Sequence, residues 1–273
     1  MRSVIFTALL VITINFCYAA KVDTVSVFSS SMQKEIKSSV VTPDGYDKAK
    51  KYPVIYLLHG YSGNYKDWLK DSVAENLADE HNLIIVCPDG GFSSWYFDSP
   101  VDKNFQYETY ITKELIPWID KNYSTVADKK GRGITGLSMG GHGALYLSFR
   151  HQDLFGTAGS MSGGVDIRPF PNNWDISKRL GNYKDNQQLW KENTVINMLH
   201  LLTPNSLALI IDCGTADFFY KVNCELHEKM LYMNIPHDFI SRPGEHNWDY
   251  WKNAVKYQVL FMSDFFEHNI NQR

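Results

Sequence analysis

Cysteine is scarce in this chain, with 4 in 273 residues. One of them, Cys17, falls in an N-terminal segment that reads as a cleaved leader, which leaves Cys87, Cys213 and Cys224. An odd number argues against a disulfide framework. Cys213 and Cys224 are the one pair open to joining in an oxidising compartment, and the reading otherwise is of buried free thiols. Positive charge is not in excess either: 27 Lys and Arg stand against 30 Asp and Glu, so no basic face offers itself to a nucleic acid. Beyond the first 16 residues no apolar run approaches the roughly 20 residues that a membrane-spanning helix needs. Internal repeats and low-complexity tracts do not stand out, which excludes a repeat array.

An apolar content of 44% with 21% charged residues is ordinary for a globular protein, and the length suffices for one large α/β domain. The N-terminus departs from that composition. Arg2 precedes an apolar run from Val4 to Phe16, and small residues at Cys17 and Ala19 suit cleavage after Ala19. Residues 1–19 therefore read as a secretory signal peptide, which makes the expected location secreted or periplasmic and residues 20–273 the mature domain. A lipoprotein signal ending at Cys17 fits less well, because Asn15 and Phe16 are poor neighbours for a lipidated cysteine. Loss of Arg2 leaves 26 basic residues against 30 acidic ones, a formal charge of −4. Asn122-Tyr123-Ser124 fits a glycosylation sequon, which matters only in a eukaryotic secretory pathway.

Strand and helix patterns alternate along the rest of the chain. Residues 24–28 and 33–41 read as two antiparallel strands, followed by an exposed turn at Pro43-Asp44-Gly45. Buried apolar runs come at 54–58, 83–86, 132–135, 157–161, 207–211 and 238–240. Between them, residues 68–77, 107–120, 141–149 and 222–233 show helical apolar spacing. This alternation predicts an α/β fold with a doubly wound, mostly parallel sheet and helices on both faces. Ligands of such sheets bind beyond the carboxyl ends of the strands. Residues 163–199, with Pro169, Pro171 and Trp174, break the alternation and read as an excursion over that end.

Gly136-Leu137-Ser138-Met139-Gly140 is a G-x-S-x-G pentapeptide with a strand pattern before it and a helix pattern after it. A serine at so sharp a turn tolerates only small neighbours, hence the two glycines, and the helix N-terminus beside it favours a developing oxyanion. Ser138 is thus the candidate nucleophile. A serine hydroxyl is weak at neutral pH and needs a base, which in turn needs a carboxylate to fix its tautomer. In the chain order that this turn demands, acid and then histidine follow on loops after later strands. Asp212-Cys213-Gly214-Thr215-Ala216-Asp217 follows the 207–211 strand, and Pro243-Gly244-Glu245-His246-Asn247-Trp248 follows the last one. His246 is the candidate base, and Asp217 is favoured as its acid over Asp212, which lies closer to the strand end. His59 and His142 also fall near the site but read as structural. The glycine-rich turn His59-Gly60-Tyr61-Ser62-Gly63 points to the backbone N–H of Tyr61, with that of Met139, as the oxyanion hole.

Together these segments resemble the esterase D-like α/β hydrolases, which include tributyrin esterases, feruloyl and acetylxylan esterases, S-formylglutathione hydrolases and mycolyltransferases. The matching motifs are the Tyr52-Pro53-Val54-Ile55-Tyr56-Leu57-Leu58-His59-Gly60 run, the pentapeptide extended to Gly141, the Asp212 to Phe218 run, and Gly244-Glu245-His246-Asn247-Trp248. They span most of the mature chain. The resemblance implies a serine esterase with Ser138 as nucleophile, His246 as base, Asp217 as acid, Tyr61 and Met139 as oxyanion donors, and no metal or organic cofactor. A secreted member suits polymer-derived esters, so feruloyl or acetyl esters of plant polysaccharides are the expected substrates. A short-chain tributyrin-type esterase, an S-formylglutathione hydrolase-like thioesterase and a non-catalytic carbohydrate-binding relative are the alternatives. Trp95 and Trp174, with Tyr96, Phe97 and Phe170 nearby in sequence, are candidate stacking surfaces for an acyl group or sugar, the plainer reading of such aromatics being hydrophobic packing.

Overall fold

Strands that are buried along their whole length are covered on both faces, and the described residues include four of them. β3 (Val54–Leu58), β4 (Ile84–Pro88), β5 (Arg132–Gly136) and β6 (Thr157–Met161) are buried at every position. In the computed structural model, which describes residues 19–270, they form the centre of an eight-stranded sheet in the order β1-β2-β4-β3-β5-β6-β7-β8. β1 (Lys21–Ser29), β2 (Lys34–Thr42) and β4 pair antiparallel, and every pairing from β4 through β3 to β7 (Ala208–Gly214) and β8 (Asp238–Arg242) is parallel. The expected signal peptide lies, but for Ala19, outside the described residues. Among the described residues no helix is long and apolar enough to cross a membrane.

Alternate residues of β3 and β4 feed two separate cores. Val54, Tyr56 and Leu58 pack with Leu145 and Phe149 of α4 (Met139–Arg150) and with Leu226 and Met230 of α7 (Tyr220–Tyr232). Ile55 and Leu57 pack on the other face with Leu77 and Ala78 of α1 (Val73–His81) and Val255 and Val259 of α8 (Trp248–Ile270). Helices thus cover both faces, as the strand–helix alternation predicts.

Three elements differ from the sequence reading. The segment 68–77 is not one helix: a short 3-10 turn, Asp67–Ser72, breaks at Asp71 and Ser72, both left-handed at φ +55° and +54°, before α1 begins. Trp68 is the reason, since its ring is buried and its Nε1 donates to Leu58 O at 3.2 Å, an anchor that a straight helix does not allow. The helix from Tyr107 runs on to Asn122 through a π-type turn, as α2 (Tyr107–Thr109), Tyr110–Leu115 and α3 (Ile116–Asn122). The 23-residue α8 had no counterpart among the expected elements, although its buried Tyr250, Trp251, Ala254, Val255, Val259 and Met262 keep helical spacing. Cys87, Cys213 and Cys224 are all free thiols.

Residues 163–199 carry two short α-helices, α5 (Ile176–Leu180) and α6 (Gln187–Glu192), and a 3-10 turn, Val195–Asn197. The segment is tied to the loop after β4: Trp95 Nε1 donates to Trp174 O at 3.1 Å and Ser99 Oγ to Arg179 O at 2.6 Å.

Candidate active site

β5 ends at Gly136 and α4 starts at Met139, so the chain reverses direction within two residues. Ser138 takes the strain of that turn at φ +55°, ψ −116°. The neighbouring glycines are demanded by close backbone approach. A Cβ on Gly136 meets Gly140 O at 2.7 Å, and one on Gly140 meets the carbonyl oxygens of Leu58 and His59 at 2.6 Å. Ser138 N donates to Met161 O at 2.9 Å, which fixes the turn on the next strand.

His246 sits on the loop between β8 and α8, and Asp217 on the loop between β7 and α7. His246 Nδ1 donates to Asp217 Oδ2 at 2.8 Å, so its Nε2 is left as the acceptor for the Ser138 hydroxyl at 2.9 Å. The Asp217 carboxylate is fully enclosed, and Phe219 N donates to its other oxygen at 2.8 Å. Asp212, the competing acid, is engaged elsewhere: within β7 it accepts hydrogen bonds from Tyr250 Oη and Arg242 Nη2. Burial pushes its carboxyl up, against the opposing pull of Tyr250 and Arg242.

The Tyr61 turn lies directly against the serine, since a Cβ on Gly60 meets Ser138 Cβ at 3.5 Å. His59 braces that turn. Its Nδ1 donates to Gly60 O and its Nε2 accepts from Gly90 N, each at 2.7 Å, and burial holds its pKa below the ordinary value. His142 is enclosed in α4, its Nε2 donating to Asn193 O at 3.0 Å, and burial lowers its pKa to about 4. Both rings stay neutral and structural at pH 7.

The two tryptophans part company. Trp95 is 1% exposed, edge-on to His142, and offers no ring face to a ligand; its indole supports Trp174 instead. That corrects the expectation of a stacking surface there. The reason is packing: its ring lies in the core against His142, and its Nε1 is engaged with Trp174 O. Trp174 is partly buried and stacks on Phe218 at 5.6 Å and 18°. Among the described residues, no group of three or more His, Cys, Asp or Glu is placed to hold a metal ion.

The comparisons with known proteins agree with this geometry. The model of the Esterase family, described as "Putative esterase", matches residues 29–262. The chain belongs to this esterase family. A solved structure of a ferulic acid esterase is similar to it at a TM-score of 0.80 and 30% identity, covering 91% of this chain and 99% of that one. An acetyl esterase of Caldicellulosiruptor saccharolyticus is 23% identical over 88% of this chain and 97% of its own length. An esterase of Mycobacterium tuberculosis is 37% identical over 136 residues, 48% of this chain, and the match spans only 29% of that relative's length. The family match and the mostly parallel eight-stranded sheet place the chain on the α/β-hydrolase fold.

One residue of the candidate site escaped the sequence reading. Phe218, 51% exposed, lies at 4.2 Å from the His246 ring, and Phe219 and Trp251 enclose that ring at 5.5 and 4.9 Å. Phe92, 56% exposed, meets Tyr61 edge-on at 4.9 Å. The position of Phe218 next to Asp217 was the available signal.

Proposed function

We propose that this protein is a secreted serine esterase that works through an acyl-enzyme on Ser138 and removes feruloyl or acetyl groups from plant polysaccharides. The observation that carries the chemistry is the unbroken hydrogen-bond run from Asp217 through His246 to Ser138, at 2.8 and 2.9 Å. Ser138 Oγ attacks the ester carbonyl while His246 Nε2 takes its proton. The tetrahedral oxyanion is received by the N–H groups of Met139 and Tyr61, each contributing roughly 3 to 4 kcal/mol by analogy with single-donor losses. The imidazolium, held by Asp217, then gives its proton to the departing alcohol. In the second half His246 takes a proton from water, the resulting hydroxide attacks the acyl carbon, and the carboxylic acid leaves as Ser138 recovers its proton.

The substrate class rests on two supports. The half-exposed Phe218, stacked on Trp174 beside His246, suits a planar acyl group or a sugar face, and the similar proteins include a ferulic acid esterase and an acetyl esterase. Secretion is supported by the composition of residues 1–19. Methyl ferulate, acetylated xylan, tributyrin and S-formylglutathione turned over side by side test the reading. Preference for the first two is expected, and turnover of the thioester alone sinks the substrate class. Absence of fluorophosphonate labelling at Ser138 sinks the chemistry and leaves a non-catalytic binding protein.

A further inference from the structure

Asp212 is wholly buried within β7, two residues before the strand ends at Gly214, and nothing in the acyl-transfer steps uses it. Its two oxygens reach different elements. Oδ2 accepts from Arg242, the last residue of β8, and Oδ1 accepts from Tyr250 in the first turn of α8. Those two residues flank the loop Pro243-Gly244-Glu245-His246-Asn247, so one carboxylate grips both ends of the segment that carries His246.

The same loop is laced to the Asp217 loop through backbone. Thr215 N donates to Arg242 O and Ala216 N to Gly244 O, each at 2.9 Å. Gly214 is required there because a Cβ runs into Gly244 O, and a Cβ on Gly244 runs into the ring of Tyr250. The guanidinium of Arg242 is itself sandwiched, 4.4 Å from the Tyr257 ring and 5.3 Å from that of Tyr250.

We infer that Asp212, through Tyr250 and Arg242, is the positioning residue that sets His246 between Asp217 and Ser138. A buried carboxylate with directed partners on both sides holds geometry more tightly than apolar packing does, because a shift of either partner leaves a charge or hydroxyl unpaired away from water. Proton transfer tolerates little displacement: an error near 1 Å costs on the order of a hundredfold in rate. This inference rests on the esterase reading, since it assigns a role through His246.

The test uses the full chain carrying Tyr250→Phe, which removes one oxygen and keeps the ring under Gly244, and Asp212→Asn, which removes the charge and keeps an acceptor. Active sites are counted with a fluorophosphonate, and kcat/KM per counted site is measured for p-nitrophenyl acetate and for methyl ferulate. Methanol leaves only if His246 delivers a proton, whereas p-nitrophenolate leaves without one. A positioning role therefore lowers the per-site rate by about tenfold to a hundredfold and raises the p-nitrophenyl to methyl ester ratio several-fold. A purely structural role lowers the number of sites or the melting temperature and leaves both per-site quantities at the wild-type level; that result, or no change at all, overturns the inference. If the wild-type protein itself is not labelled at Ser138, the esterase reading fails instead.

Discussion

The ring of Phe218 lies 4.2 Å from the imidazole of His246, centroid to centroid and tilted by 37°. An aromatic side chain left 51% exposed gives up part of the stabilisation that burial brings, and here it does so beside the reacting groups. The neighbouring Trp174 holds the ring by stacking at 18°, so its outer face is set in place before any ligand arrives.

Replacing Phe218 by Ala removes that face. The kcat/KM for methyl ferulate is expected to fall by about tenfold, equivalent to roughly 1.4 kcal/mol of lost aromatic contact, while tributyrin turnover falls much less. Equal losses on the two substrates mean that Phe218 serves only to pack His246.

Ser138 is held at φ +55°, a strained conformation costing of the order of 1–3 kcal/mol for a residue with a Cβ. Ser138→Gly relieves it. Urea unfolding of that variant is expected to show a gain of roughly 1 kcal/mol over wild type, with esterase activity abolished; Ser138→Ala loses activity equally and gains nothing. A glycine variant no more stable than the alanine one removes strain as the explanation.

Gly140 tests the junction between the elbow and the Tyr61 turn. An alanine Cβ there meets two backbone carbonyl oxygens at 2.6 Å, which no rotamer change relieves. Gly140→Ala is expected to cost roughly 1–3 kcal/mol of stability and to cut kcat at least tenfold, because α4 and the Tyr61 turn must move apart. Thermal melting and steady-state rates on one preparation decide it, and a variant with wild-type kcat refutes the coupling.

Chain order explains why Ser138, Asp217 and His246 come together as the sequence suggests: a parallel sheet brings successive strand ends to one edge, so residues just past them meet. The same logic puts the turn of Gly60 and Tyr61 against Ser138. It fails for side-chain direction. Trp95 and Phe218 both follow strands near the site, yet one is 1% and the other 51% exposed, a difference set by tertiary packing that local sequence does not encode. The break at Asp71 and Ser72 was equally hidden, because tertiary anchoring of Trp68 overrides local helical spacing. For α8 the signal was present in the apolar spacing, interrupted by the buried Gln258, whose Oε1 accepts from Thr135 Oγ1 at 2.9 Å.

His142 sets an acid limit on stability. Burial lowers its pKa to about 4 from the ordinary 6.5, with the ring stacked on Tyr146 at 5.6 Å. The unfolded chain binds this proton below about pH 6.5 and the folded chain refuses it until about pH 4, so stability is fully present above that window and is lost as pH falls through it. Between pH 7 and pH 5 the loss is about 2 kcal/mol. Glu108 continues the trend further down: burial pulls its carboxyl up, but hydrogen bonds from His151, Arg150 and Tyr146 outweigh it and hold the pKa at about 2, so its share goes below about pH 4.5. His142→Gln keeps a donor for Asn193 O and has no proton to gain. Urea unfolding at pH 7 and pH 5 is expected to show a drop about 2 kcal/mol smaller in that variant than in wild type. An identical drop in both proteins assigns the acid sensitivity to other groups.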